Sequence, residues 1–81
     1  MLLLLADIYQ RCGMFDKAEK SYRKIIKLKA GYITAHTRLA MLYHGQGQLT
    51  KAEPCYRQSL KLNNNQASVH FNLAATLQEL G

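Results

Sequence analysis

Displaced by 34 residues, this sequence falls onto itself without a gap. Leu5 meets Leu39, Ala6 meets Ala40, Tyr9 meets Tyr43 and Gly13 meets Gly47. Lys17, Ala18 and Glu19 meet Lys51, Ala52 and Glu53; Tyr22 and Arg23 meet Tyr56 and Arg57; Lys27 and Leu28 meet Lys61 and Leu62. A third copy opens with His70, Leu73, Ala74 and Gly81, in register with His36, Leu39, Ala40 and Gly47. A fixed period of this length is the mark of an array of stacked units rather than of one closed core.

Inside each period the apolar spacing is helical. Leu2, Leu5, Ala6 and Tyr9 stand at i, i+3, i+4 and i+7, and Leu39, Ala40, Leu42 and Tyr43 follow one period later, as do Phe71, Leu73, Ala74 and Leu77. Gly13, Gly47 and Gly81 punctuate these helices, at turns that favour positive φ. The second helix of each unit opens on Asp16-x-x-Glu19 or Thr50-x-x-Glu53, both of which read as capping boxes. Ala18, Tyr22, Ile25, Ile26 and Leu28, then Ala52, Tyr56, Leu60 and Leu62, supply the buried stripes, with Lys27, Lys29 and Lys61 in the last turns. The pattern predicts helices at about 1–12, 17–29, 33–45, 51–62 and 67–80. Pro54 falls about four residues into the fourth, in a first turn that tolerates it. Ala6 with Ala18, and Ala40 with Ala52, let paired backbones approach, while Tyr9, Tyr22, Tyr43 and Tyr56 fill the wedges.

The residues Leu2-x2-Leu5-Ala6-x2-Tyr9…Ala18-x3-Tyr22, and again His36-x2-Leu39-Ala40-x2-Tyr43…Ala52-x3-Tyr56, closely resemble the tetratricopeptide repeat over the whole chain. The resemblance implies an all-α solenoid of antiparallel hairpins wound as a right-handed superhelix. Repeat 1 would span about 1–32, repeat 2 about 33–66, and residues 67–81 the first helix of repeat 3. The departures are Leu2, His36 and His70 for the family's tryptophan, and Ala30 and Asn64 for its closing proline. Ile25 and Ser59 stand for a late small residue. The two histidines are expected at an inter-helix wedge.

Composition limits the chemistry. Two cysteines, Cys12 and Cys55, make no disulfide framework and no zinc spacing, so free thiols and an intracellular, cytoplasmic or nuclear setting are expected. The apolar start ends at Asp7, too short for a signal h-region or a span. No glycine-rich phosphate loop is present, and neither cysteine is obviously set against a histidine as a nucleophile requires. His44 has no acidic or histidine neighbour at ligand spacing. The carboxylates Asp7, Asp16, Glu19, Glu53 and Glu79 read as caps or solvated groups. The expectation is a non-enzymatic chain with no cofactor and no metal.

What the family resemblance implies instead is a concave groove for a peptide or partner helix, lined by the first helices. The groove positions are Leu3, Leu4, Asp7 and Arg11, then Thr34, Thr37, Arg38, Met41 and His44, then Ser68, Phe71, Asn72, Ala75 and Gln78. Met41 and Phe71 would be apolar anchors and Arg38 a charged one. Members that clamp a chaperone's C-terminal carboxylate use positions held here by Leu3, Asp7, Arg38, Ser68 and Asn72. A leucine and an aspartate stand where lysine and asparagine are needed, so such a partner is not expected. A second reading comes from the net charge of +6: Lys17, Lys20, Arg23, Lys24 and Lys27, with Lys51, Arg57 and Lys61, would form a basic convex face for nucleic acid or another polyanion.

The ends complete the expectations. The sequence opens two residues into a repeat and closes on Gly81, with apolar Met1 to Leu5 at one side and Val69, Phe71, Leu73, Leu77 and Leu80 at the other. A piece of a longer array is expected, whose open ends pair between copies as a C2 dimer.

Overall fold

The computed structural model describes residues 2–81, with side chains from Leu3 onward. Five helices follow in order: α1 (Leu2–Arg11), α2 (Phe15–Leu28), α3 (Ile33–Gly45), α4 (Leu49–Leu62) and α5 (Ala67–Leu80). α1 packs with α2 and α3 with α4 as hairpins; α2 meets α3, and α4 meets α5. The chain is an all-α solenoid, as the period predicts. The expected contributions of Met1 and of the Leu2 side chain lie outside the described residues.

The turns between paired helices are built twice in the same way. Gly13 and Gly47 lie at φ of +78° and +77°. Their left-handed backbone lets the Met14 amide reach the Tyr9 carbonyl at 2.8 Å and the Gln48 amide reach the Tyr43 carbonyl at 2.9 Å, closing the preceding helix end. The chain re-enters helix at once. α2 and α4 therefore start two residues earlier than expected, behind Met14 and Gln48, and neither residue makes a side-chain cap. The capping boxes of Asp16 and Thr50 are not formed, because both residues already stand inside the first turn. Pro54 is thus the sixth residue of α4 rather than the fourth, and its ring forgoes the bond to the Thr50 carbonyl.

The core is the set of positions that recur. Ala6, Ala18, Ala40 and Ala52 have no exposed surface, and Tyr22, Tyr43 and Tyr56 are buried, with Tyr9 half-buried. Small residues on facing helices let the backbones close, and the aromatic rings fill the volume beside them. Ser59 is fully buried as a polar hub. Its hydroxyl lies 2.7 Å from that of Thr37, and Gln66 donates to its carbonyl at 3.0 Å, which ties α3, α4 and the turn into α5.

The histidines do more than fill wedges. His36 Nε2 donates to the Ala30 carbonyl and His70 Nε2 to the Asn64 carbonyl, both at 2.8 Å. Each ring reaches back six residues to the position where the resemblance expects a proline, and ties down a linker that proline would stiffen. His36 is buried but His70 is exposed, so the expected wedge is filled only in α3.

At the outermost helices equivalent positions open to solvent. Ile8 is 47% exposed where Leu42 is 1% exposed, and Ala74 is exposed where Ala6 and Ala40 are covered. Leu77 and Leu80 are exposed, as expected, whereas Val69 belongs to the buried core and is not part of an open face.

The turn glycines give the first prediction. A Cβ on Gly13 or Gly47 would meet nothing within 4 Å, so the cost of alanine there is purely conformational. Gly13→Ala and Gly47→Ala should each lower stability by about 1 kcal/mol in urea titrations. Gly31→Ala, with equal space and no positive φ, should be neutral or slightly stabilising. Equal effects at all three would show that the left-handed turns do not carry the hairpins.

Candidate functional site

The face made by α1, α3 and α5 holds a pocket of about 460 Å³ lined by Asp7, Gln10, Arg11, Arg38 and Met41. Asp7, half-buried, is the carboxylate in its lining. Arg38 of α3 ion-pairs with one carboxylate oxygen, and the Tyr22 hydroxyl of α2 donates to the other at 2.5 Å and lies 3.1 Å from the Gln10 side-chain oxygen. Three helices are joined at this one carboxylate. Partial burial works against ionisation of Asp7, but the bonds from Tyr22 and Arg38 and the charges of Arg38 and Arg11 outweigh it, so its pKa is lowered. Burial, and then Asp7, push the Tyr22 phenol well up, and the bond to Asp7 raises the Arg38 guanidinium.

A second polar junction joins α3 to α5. His44 Nε2 lies 3.4 Å from Glu79, and its Nδ1 lies 3.4 Å from both the Tyr56 and Thr76 hydroxyls. Thr76 gives its proton to the Asn72 carbonyl at 2.8 Å. The sequence expectation left His44 without an acidic neighbour; the fold supplies Glu79 from the next repeat. Gln10 and His44 hold the same repeat position, as do Tyr22 and Tyr56. Both junctions therefore bring a tyrosine hydroxyl to the same repeat position, with Asp7 and Arg38 added in the first and Thr76 and Glu79 in the second.

The expected groove residues divide. Arg11, Met41, Ser68, Phe71 and Gln78 are exposed, as is Leu4, while Thr34, Asn72 and Ala75 are half-buried. Thr37 turns to Ser59 inside its hairpin, and Leu3 packs on the core. Arg38 is held by Asp7 and His44 by the α5 junction, so neither is a free anchor. Met41 (47% exposed) and Phe71 (74% exposed) are the open apolar surfaces. Gln10 and Thr76 were not singled out from sequence, Tyr22 was expected only as a wedge and Glu79 only as a cap or solvated group; the recurrence of tyrosine over Gln10 and His44 was the available signal. The carboxylates are not caps: Asp7, Glu19, Glu53 and Glu79 all take part in polar bridges.

The recurrence of the basic residues has a structural cause. Lys17 Nζ lies 5.8 Å from the centre of the Tyr9 ring, and Lys51 Nζ lies 5.7 Å from that of Tyr43. Arg23 pairs with Glu19 at 3.1 Å and Arg57 with Glu53 at 2.9 Å. Arg23 also donates to the Tyr43 hydroxyl at 3.0 Å, and that hydroxyl donates to Glu19 at 2.5 Å, a link between α2 and α3. Lys20, Lys24, Lys27 and Lys61 are the exposed remainder of the expected face.

A family model for the tetratricopeptide repeat matches residues 1–65. The chain belongs to the tetratricopeptide-repeat family. A solved structure, the first TPR of Spaghetti (RPAP3) bound to HSP90 peptide SRMEEVD, matches at a TM-score of 0.90 and 24% sequence identity. That match covers 98% of this chain and 63% of the other, so this chain spans less than two thirds of its length. At such identity the likeness is one of fold. A comparison with curated proteins gives no match. Tetratricopeptide repeats typically mediate protein–protein interaction and are typically not catalytic. Among the described residues no helix is long and apolar enough to cross a membrane.

The Asp7 junction makes a prediction with a defined pH window. Because its folded pKa is lowered, Asp7 stabilises the fold above the ordinary carboxylate range and loses that contribution as pH falls through the folded value. Asp7→Asn should cost about 1 kcal/mol at neutral pH, modest because Arg38 is partly in solvent. The difference should begin to shrink on descending below the ordinary carboxylate range and go on shrinking as pH falls through the lowered folded value. A cost that is constant across this range would show that the carboxylate charge contributes nothing.

Proposed function

We propose that this tetratricopeptide repeat is a non-catalytic scaffold that binds an extended peptide or a partner helix along α1, α3 and α5. The observation that carries this reading is the juxtaposition of the Asp7–Arg38 pocket with open apolar side chains at Met41 and Phe71 on the same run of helices. A partner residue set against Met41 would bury apolar surface, while Arg11 at the rim offers a charge to its polar flank. Arg38 serves chiefly to hold Asp7. A basic outer face for nucleic acid or another polyanion is the weaker reading, since half of its expected cations already have partners within the chain.

The same geometry argues against a chaperone-type C-terminal carboxylate as the partner. Asp7 places a carboxylate beside Arg38, where it competes with an incoming carboxylate and repels it. The peptide SRMEEVD should therefore show no saturable binding in calorimetry at tens of micromolar, and Asp7→Asn should raise its affinity. Tight binding by the unaltered chain would remove this part of the reading.

For the groove itself, peptides selected from a random library against the whole chain serve as probes. Met41→Glu should weaken a selected peptide by about tenfold or more, the scale of losing one buried apolar anchor. Leu62→Glu, on an exposed site of α4, should leave it unchanged. Insensitivity of every selected peptide to Met41→Glu would end the groove assignment.

A further inference from the structure

Away from the groove, the positive charge of the surface gathers on α2. This helix carries Lys17, Lys20, Arg23, Lys24 and Lys27 against two carboxylates, Asp16 and Glu19. Lys17 lies over Tyr9, and Arg23 is taken by Glu19 and Tyr43. Lys20, Lys24 and Lys27 are left, all exposed, at i, i+4 and i+7. That spacing sets them in one ridge on the side of α2 opposite Ala18, Tyr22 and Ile25, its buried residues. Among the described residues no ion pair involves any of the three. Asp16, one turn before Lys20, bounds the ridge at its N-terminal end.

The ridge also has an apolar part. Leu28, 68% exposed, stands one turn beyond Lys24. With Lys20, Arg23, Lys24 and Lys27 it lines a shallow depression of about 540 Å³, whose walls include the aliphatic stems of the lysines. The repeat frame accounts for Leu28, which recurs as Leu62, but not for the lysine ridge. At the equivalent positions α4 has Pro54 and Gln58 in place of Lys20 and Lys24, and only Lys61 answers Lys27.

We propose that the α2 ridge is a second docking surface, for an acidic amphipathic helix of a partner protein. Carboxylates one helical turn apart on the partner match lysines one turn apart here, over a rise of about 10 Å from Lys20 to Lys27. One large aliphatic side chain of the partner then seats in the depression beside Leu28. A run of phosphates would be met by the lysines alone and would gain nothing from Leu28. The arginines able to grip phosphate with two parallel bonds, Arg23 and Arg57, are occupied by Glu19 and Glu53. This surface is separate from the groove and stands whether or not the groove reading does.

The test uses the whole chain and a synthetic helical peptide with glutamates at i, i+4 and i+7 and a leucine beside the last glutamate. A control peptide of equal charge has that leucine replaced by serine. Single-stranded RNA and vesicles with anionic lipid are the competing probes. The leucine peptide should bind at moderate ionic strength and weaken with added salt. Lys24→Glu with Lys27→Glu should weaken it by at least about tenfold, and Leu28→Ser or the serine peptide by about threefold to tenfold. Met41→Glu should leave it unchanged. Helical circular dichroism and melting temperature of each variant confirm that these exposed sites do not unfold the chain. The proposal is overturned if the leucine peptide fails to bind, if the two peptides bind alike, or if RNA or vesicles bind more tightly and ignore Leu28→Ser.

Discussion

The close approach of paired helices is the constraint from which the rest of the structure follows. Ala6 and Ala18 in one hairpin, and Ala40 and Ala52 in the next, have no exposed surface, so each pair of backbones meets where a larger side chain would hold them apart. Once α1 and α2 are so close, Tyr22 projects across the hairpin to the Asp7 carboxylate, and Tyr56 projects across the next to His44. The polar junctions that join successive repeats are thus consequences of the small residues within them. The left-handed glycines at 13 and 47 set the turn that makes the approach possible.

The frame was legible because it repeats. A 34-residue period, helical spacing and a glycine at each turn specify five helices, and the structure moves the starts of only α2 and α4, by two residues each. What misled there was local. Asp16 and Thr50 look like caps when read alone, but the turn ahead of them has already satisfied the helix end through backbone bonds. The candidate groove was legible only as positions. Asp7 and Arg38 both lie on it, yet their pairing spans 31 residues and depends on where α3 stacks against α1, which no local pattern carries. The lysine and arginine recurrences were visible but ambiguous. Repetition marks both functional rows and structural contacts, and only the rings of Tyr9 and Tyr43 decide for the latter at Lys17 and Lys51.

The two faces differ in how their charge is used. On the α1–α3–α5 side, charges are joined in pairs that position helices, and apolar side chains stand open beside them. On the α2 side the unpaired lysines form a ridge with Leu28 at its edge. In the proposed groove, the ion pair with Asp7 takes up Arg38 as an anchor, which leaves Arg11, the shape around Met41 and the repulsion by Asp7 to discriminate between partners. The buried alanines recur at Ala6, Ala18, Ala40 and Ala52, whereas the groove positions of successive repeats hold different residues, Asp7 against Met41 and Arg11 against Gly45.

The most direct measurement is a nuclear magnetic resonance footprint of the whole chain with a library-selected peptide bound. The Met41 methyl and the side-chain resonances of Arg11 and Gln10 should shift on binding, while those of α4's outer face, Leu62 among them, should stay in place. Shifts confined to α2 and α4, with Met41 unmoved, would contradict the assignment of the α1–α3–α5 face as the surface that holds a partner.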